Sequence, residues 1–145
     1  MEIDYQNIVF HHKTDIQIRF NDVDCFGHVN NNAYFAYYDL GKEEYLTEVL
    51  SQDFRTSTVI PVVANIQADF LRPILFGDKI QVETAIIHLG NKSFTLLQQA
   101  VNKETNALIC RCLSVMVCFN TETNLPQEMP EEYRQAIKAY EVGNL

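Results

Sequence analysis

Between residues 58 and 119 the sequence sets four strand-patterned segments in direct succession, and this run constrains the fold more than any other feature. The segments span 58–70, 79–89, 93–101 and 107–119. Pro73 and Gly77-Asp78 break the chain after the first, Gly90-Asn91 after the second, and the polar NKETN stretch after the third. Connections this short favour antiparallel neighbours, because parallel strands need a long crossover. In the second segment Ile80, Val82 and Ile86 share a face, and the fourth is apolar enough to sit centrally in a sheet. Upstream, Ile16, Ile18 and Phe20 alternate with Asp15, Gln17 and Arg19, which predicts a further strand over 14–20 with one face buried. Residues 32–50 read as one long helix. Ala33, Ala36, Tyr37 and Leu40 recur at helical spacing, and Phe35, Tyr38, Tyr45 and Leu46 widen the apolar surface. Ala33, Ala36 and Gly41 would let this helix approach a sheet closely. Pro130, followed by Glu131 and Glu132, opens a short second helix with Tyr133, Ala136, Ile137 and Tyr140 on one face. Strand, long helix, four strands and short helix make an α+β chain, and a curved antiparallel sheet wrapped around the long helix satisfies the pattern.

No repeat, low-complexity tract or linker interrupts the sequence, so residues 1–145 are expected to form a single domain. The net charge of −8 argues against a general nucleic-acid binder, which needs a basic footprint, and weakens any case for anionic membranes. A local basic patch for an anionic ligand remains compatible with it. The polar, acidic N-terminal segment lacks a signal-peptide pattern, and no apolar stretch approaches membrane-spanning length, so a cytoplasmic location is expected. Cys110, Cys112 and Cys118 share one parity on a strand and stand too far apart for easy bridging, so these and Cys25 are expected to be buried reduced thiols, and without a CxxC pair a structural zinc site is not expected. His11 and His12 are expected to be solvated.

Chemistry concentrates in RFNDVDCFGHVNNNAYFAYY, residues 19–38. Asp22 and Asp24 stand where a strand gives way to a helix. A helix start presents unpaired N–H groups and partial positive charge, suited to an anion or to the oxyanion formed when a carbonyl is attacked. A carboxylate just upstream can act as nucleophile or as base toward water. The same residue types also serve simply as turn formers and helix caps.

The segment DVDCFGHVNNNAYFAYYDLG resembles the signature of the 4-hydroxybenzoyl-CoA thioesterase family, D-x-D-x-x-G-H-V-N-N followed by a tyrosine-bearing helix. ADFLRPILFGDKIQVET and LGNKSFTL are similar to two further family runs, in the same order, so the likeness extends over about residues 14–120. It implies the hotdog fold and hydrolysis of an acyl-CoA substrate without metal or organic cofactor. Residue by residue, it implies that Asp24 is the catalytic carboxylate and that Asp22 braces the loop. Gly27 permits the turn into the helix, and the N–H groups near Asn30 and Asn31 form the oxyanion site. His28 matches a histidine present in many members. Lys92, Ser93 and Arg72 become candidates for coenzyme contacts, although Arg72 could instead pair with Asp69 or Asp78. Phe26 and Tyr34 become candidates for an acyl pocket. The resemblance further implies a homodimer with sheets joined edge to edge, or a homotetramer of two such dimers, with coenzyme contacts reaching across from the neighbouring chain. A hydratase or dehydratase acting on acyl thioesters, and a non-catalytic acyl-CoA-binding module, are the alternatives.

Overall fold

The computed structural model describes residues 2–145. Its elements in chain order are β1 (His12–Ile16), α1 (Asn31–Leu50), β2 (Val59–Phe70), β3 (Ile80–Leu89), β4 (Ser93–Asn102), β5 (Leu108–Asn120), β6 (Leu125–Pro126) and α2 (Glu131–Tyr140). One antiparallel sheet runs β1-β3-β4-β5-β2, with β6 joining β5 beyond the end of β4. The sheet curls into a half-barrel against α1. This is the α+β hotdog arrangement.

The four strands β2 to β5 begin and end within a residue of their expected bounds. The first strand does not. It starts at His12 and stops at Ile16, and Phe20 stands 81% exposed in a 3-10 turn, Phe20–Asp22. The alternation of Ile16, Ile18 and Phe20 misleads because Asp22 folds the chain back: its Oδ2 accepts the Arg19 N–H at 2.9 Å, and its own N–H donates to the Arg19 carbonyl. An Asp that captures local backbone donors ends a strand.

Helix α1 buries Tyr34, Tyr37, Tyr38, Gly41, Tyr45, Leu46, Val49 and Leu50, a stripe at helical spacing. Ala36 and Leu40, expected on that stripe, are exposed instead. Gly41 is the point of closest approach to the sheet. A Cβ there would lie 2.8 Å from Cγ1 of Val82 and 3.3 Å from Nε2 of Gln98. Buried Gln98 fixes the register by donating to the Tyr38 carbonyl at 2.9 Å and the Thr84 hydroxyl at 3.1 Å.

Two apolar clusters lie along the helix. Around its first half, Val29, Tyr34, Tyr37 and Tyr38 pack on Ile74, Ile80, Val82, Cys110 and Cys112. Around its second half, Tyr45, Leu46, Val49 and Leu50 pack on Ile86, Phe94, Leu96 and Met116, closed over by Tyr133 and Ile137 of α2. Just past α2, Glu141 is 1% exposed. It accepts from the Tyr45 hydroxyl at 2.5 Å, the Ile86 N–H at 3.0 Å and Nδ2 of Asn144 at 2.7 Å. His12 is not solvated as expected. It is buried edge-on to Tyr45, with Nε2 3.2 Å from Glu48. Cys110, Cys112 and Cys118 are free and buried, but Cys25 is exposed on its turn, against expectation. Burial pushes the three buried thiols above their ordinary range, to about 11 for Cys112.

Candidate active site

The segment between the 3-10 turn at Phe20–Asp22 and α1 doubles back on itself. The Asp24 N–H donates to the His28 carbonyl at 2.8 Å, and the Gly27 N–H to the Asp24 carbonyl at 3.1 Å. Gly27 sits at φ +80°, where a side chain would be strained. Val23 bridges Val29 and His28 bridges Leu75, so the turn is anchored to the segment that follows β2.

This geometry holds the Asp24 carboxylate by one oxygen. Oδ1 accepts the Phe26 N–H at 2.9 Å and the His28 N–H at 3.3 Å. Oδ2 has no protein donor among the described residues. Asp24 is half-buried and lines a cleft of about 250 Å³ with His28, Asn31, Tyr34, Phe70 and Arg72.

The helix start supplies the complementary feature. The Asn30 N–H, expected to be available, is spent on the Asp22 carbonyl at 2.7 Å, and the Asn32 N–H on the Asn30 side chain at 3.0 Å. Asn31 is left: its N–H has no acceptor among the described residues, and the residue faces the same cleft as Asp24. An unpaired N–H at a helix start, beside a carboxylate with a free oxygen, can polarise a carbonyl and attack or hydrate it.

Asp22 stands back from the cleft. Its Oδ2 receives the Arg19 N–H and, at 2.7 Å, the Tyr37 hydroxyl. Tyr37 thereby ties the loop to α1, and burial together with the Asp22 carboxylate pushes its phenol well above the ordinary tyrosine range. Sequence reasoning classed Tyr37 with the core and missed this brace. Its one signal is the position, two helical turns after the Asn30 cap. Tyr34 is buried against Phe70, ring centroids 5.1 Å apart and edge-on, and forms part of the cleft wall.

The remaining candidates separate. Arg72 lines the cleft and makes no ion pair with Asp69 or Asp78; Asp78 instead accepts the Leu75 N–H at 2.9 Å. Phe26 is 80% exposed at the turn tip and does not line the cleft. Lys92 and Ser93 lie at the opposite end of the sheet. Ser93 pairs with Val117 on β5, while Phe70 at the cleft pairs with Cys110, seven residues and roughly 23 Å away at the usual strand rise. Among the described residues no cluster of His, Cys, Asp and Glu could hold a metal ion, and no helix is long and apolar enough to cross a membrane.

Known proteins share this architecture. A long-chain acyl-CoA thioesterase from Escherichia coli (strain K12), FadM, is 26% identical over 131 residues, covering 87% of this chain and 99% of the relative. A 1,4-dihydroxy-2-naphthoyl-CoA hydrolase from Nostoc punctiforme is 27% identical, covering 81% and 80%. A Thermus thermophilus thioesterase, solved in complex with coenzyme A and Zn, superposes with a TM-score of 0.81 at 30% identity, covering 92% of this chain and 96% of that one. The family model described as thioesterase-like superfamily matches residues 18–137, which take in the Asp24 turn, the whole of α1 and every strand after it, and the chain belongs to that family.

Proposed function

We propose that this chain is an acyl-CoA thioesterase, hydrolysing its substrate to the free acid and CoA, with Asp24 as the catalytic carboxylate. The observation that carries the reading is the pairing of a half-satisfied Asp24 with the unpaired N–H of Asn31 in one cleft, within a chain whose family and named relatives are thioesterases. The acyl carbonyl docks with its oxygen toward the Asn31 N–H, where charge develops as the carbon is attacked. In one route Oδ2 of Asp24 attacks the carbonyl carbon and the thiolate of CoA leaves, giving an acid anhydride that water cleaves. In the other, Asp24 removes a proton from a water that attacks directly. Either way the thiolate departs without a strong acid, since thiols ionise near pH 8.5. His28 contributes its backbone N–H to the Asp24 clamp, and Gly27 the turn. Residues 1–145 act as one domain, and no cofactor takes part.

The dimer reading rests on β2. It is an edge strand, and Val63, Ile66 and Phe70 on it are exposed, an arrangement that a single copy in water would leave open to association. Antiparallel pairing of β2 with β2 of a second copy reverses the direction of the neighbour. That carries the far end of the neighbouring sheet, with its Lys92 and Ser93, toward this cleft. Coenzyme phosphates would then meet Arg72 from one chain and Lys92 from the other. Doubling of such dimers gives a tetramer.

The test is thiol release from a panel of acyl-CoAs, short, long and aromatic, with wild type beside Lys92→Glu. Hydrolysis by wild type, with KM raised several-fold in the variant and kcat kept, supports both the reaction and the shared site. Release of no thiol from any member sinks the thioesterase reading, and an unchanged KM removes Lys92 from the coenzyme site.

A further inference from the structure

We infer that the acyl chain leaves the cleft across an exposed apolar rail of Leu75, Phe76 and Phe20, so that the preferred substrate carries a long alkyl acyl group. The inference rests on the thioesterase reading above and specifies what that site accepts. With the carbonyl held between Asp24 and the Asn31 N–H, the chain behind it has few ways out. Inward it meets a closed wall: Val29 and Tyr34 are 3% exposed, Ile74 not at all, and the cluster behind them is filled by Tyr38 and Cys110. Toward the free edge of β2 lies the side assigned to the coenzyme. The way that remains follows the bridge between His28, which lines the cleft, and Leu75.

Along that way the surface is apolar without anything in this chain to cover it. Leu75 is 47% exposed, Phe76 57% and Phe20 81%. The Phe20 and Phe76 rings meet edge-to-face with centroids 6.2 Å apart, so they form one contiguous patch rather than scattered residues. Both ride on turns that also build the site. Phe20 opens the 3-10 turn that holds Asp22, and Phe76 lies in the turn closed by Asp78 on the Leu75 N–H. The patch is thus fixed in place relative to Asp24. An uncharged alkyl chain gains from covering it and suffers no repulsion from the acidic surface.

The experiment measures kcat/KM for butyryl-CoA and palmitoyl-CoA with wild type, Phe76→Ser and the double variant Phe20→Ser/Phe76→Ser. Both side chains are exposed, so thermal melts should coincide with wild type and verify folding. Wild type should prefer palmitoyl-CoA, and the palmitoyl-to-butyryl ratio should fall about tenfold in the double variant as the covered apolar area is lost. A wild-type preference for the short chain, a ratio unmoved by the substitutions, or an equal loss on both substrates would each overturn the inference while leaving hydrolysis intact. Failure of wild type to hydrolyse either substrate, or an aromatic acyl-CoA run alongside, would instead defeat the thioesterase reading and the rail with it.

Discussion

Each half of α1 faces a carboxylate held by hydrogen bonds, and the two are treated in opposite ways. At the C-terminal end Glu141 is sealed from water, and both its oxygens are engaged, by Tyr45, Ile86 and Asn144. At the N-terminal end Asp24 is reached by solvent and engaged through one oxygen only. A buried carboxylate is tolerable only when its lone pairs are used, and one so used has nothing left for a substrate. The free oxygen of Asp24 is what separates the carboxylate proposed to react from the one that is purely structural.

Substitutions can break or sharpen that contrast. Asp24→Asn should have the largest effect, lowering kcat by roughly a thousandfold. The amide oxygen still accepts from Phe26 and His28, so stability should stay within about 0.5 kcal/mol of wild type. Activity near wild type would erase the distinction between the two carboxylates. Glu141→Leu should do the reverse. It strands the Tyr45 hydroxyl and the Ile86 N–H in the interior, which costs about 3 kcal/mol and lowers the melting temperature by roughly 10 °C. Turnover per folded molecule should hold, and a loss of turnover without a loss of stability would show that the far end serves catalysis. Tyr37→Phe should be mildest. Losing the hydrogen bond to Asp22 costs about 1 kcal/mol and lets the loop drift, lowering kcat around fivefold with KM unchanged. A Tyr37→Phe enzyme with wild-type kcat would show that Asp24 needs no brace from the helix.

The sheet was legible in the sequence because turns rich in Gly, Pro and Asn punctuate segments of even apolar character, and their bounds follow from both signals together. The long helix was legible too, but not its orientation. Ala36 and Leu40 are apolar yet exposed, because the position of closest contact is set by Gly41 against Val82, and an absent side chain leaves no mark in an apolar pattern. The end of β1 was hidden for a different reason: Asp22 overrides an alternation that by itself predicts extended chain through Phe20. At the site, Asp24, Asn31, Tyr34 and Arg72, which the motifs single out, line one cleft. Glu141 escaped notice, since an acid at the end of a helix reads as solvated until its three donors, 55 or more residues distant in two cases, are seen around it. Lys92 and Ser93 show the limit of a motif most clearly. The motif offers them beside the cleft residues as coenzyme contacts, yet the fold sets them at the opposite end of the sheet, because β4 runs nearly its whole length between Ser93 and the end near Phe70.

The turn that carries Asp24 is written in main-chain atoms: donors from residues 26 and 28, and a positive φ at 27. Its shape therefore ignores most of the lettering around it. Drift at Cys25 and Phe26, whose side chains are exposed, should be nearly free of penalty, and a lineage could alter the outer surface of this loop repeatedly without disturbing the Asp24 carboxylate. Proline at 26 or 28 is the exception, since it deletes a donor, and so is any side chain at 27, where φ is +80°. The same economy that leaves one Asp24 oxygen free thus leaves the tip of the loop open to change.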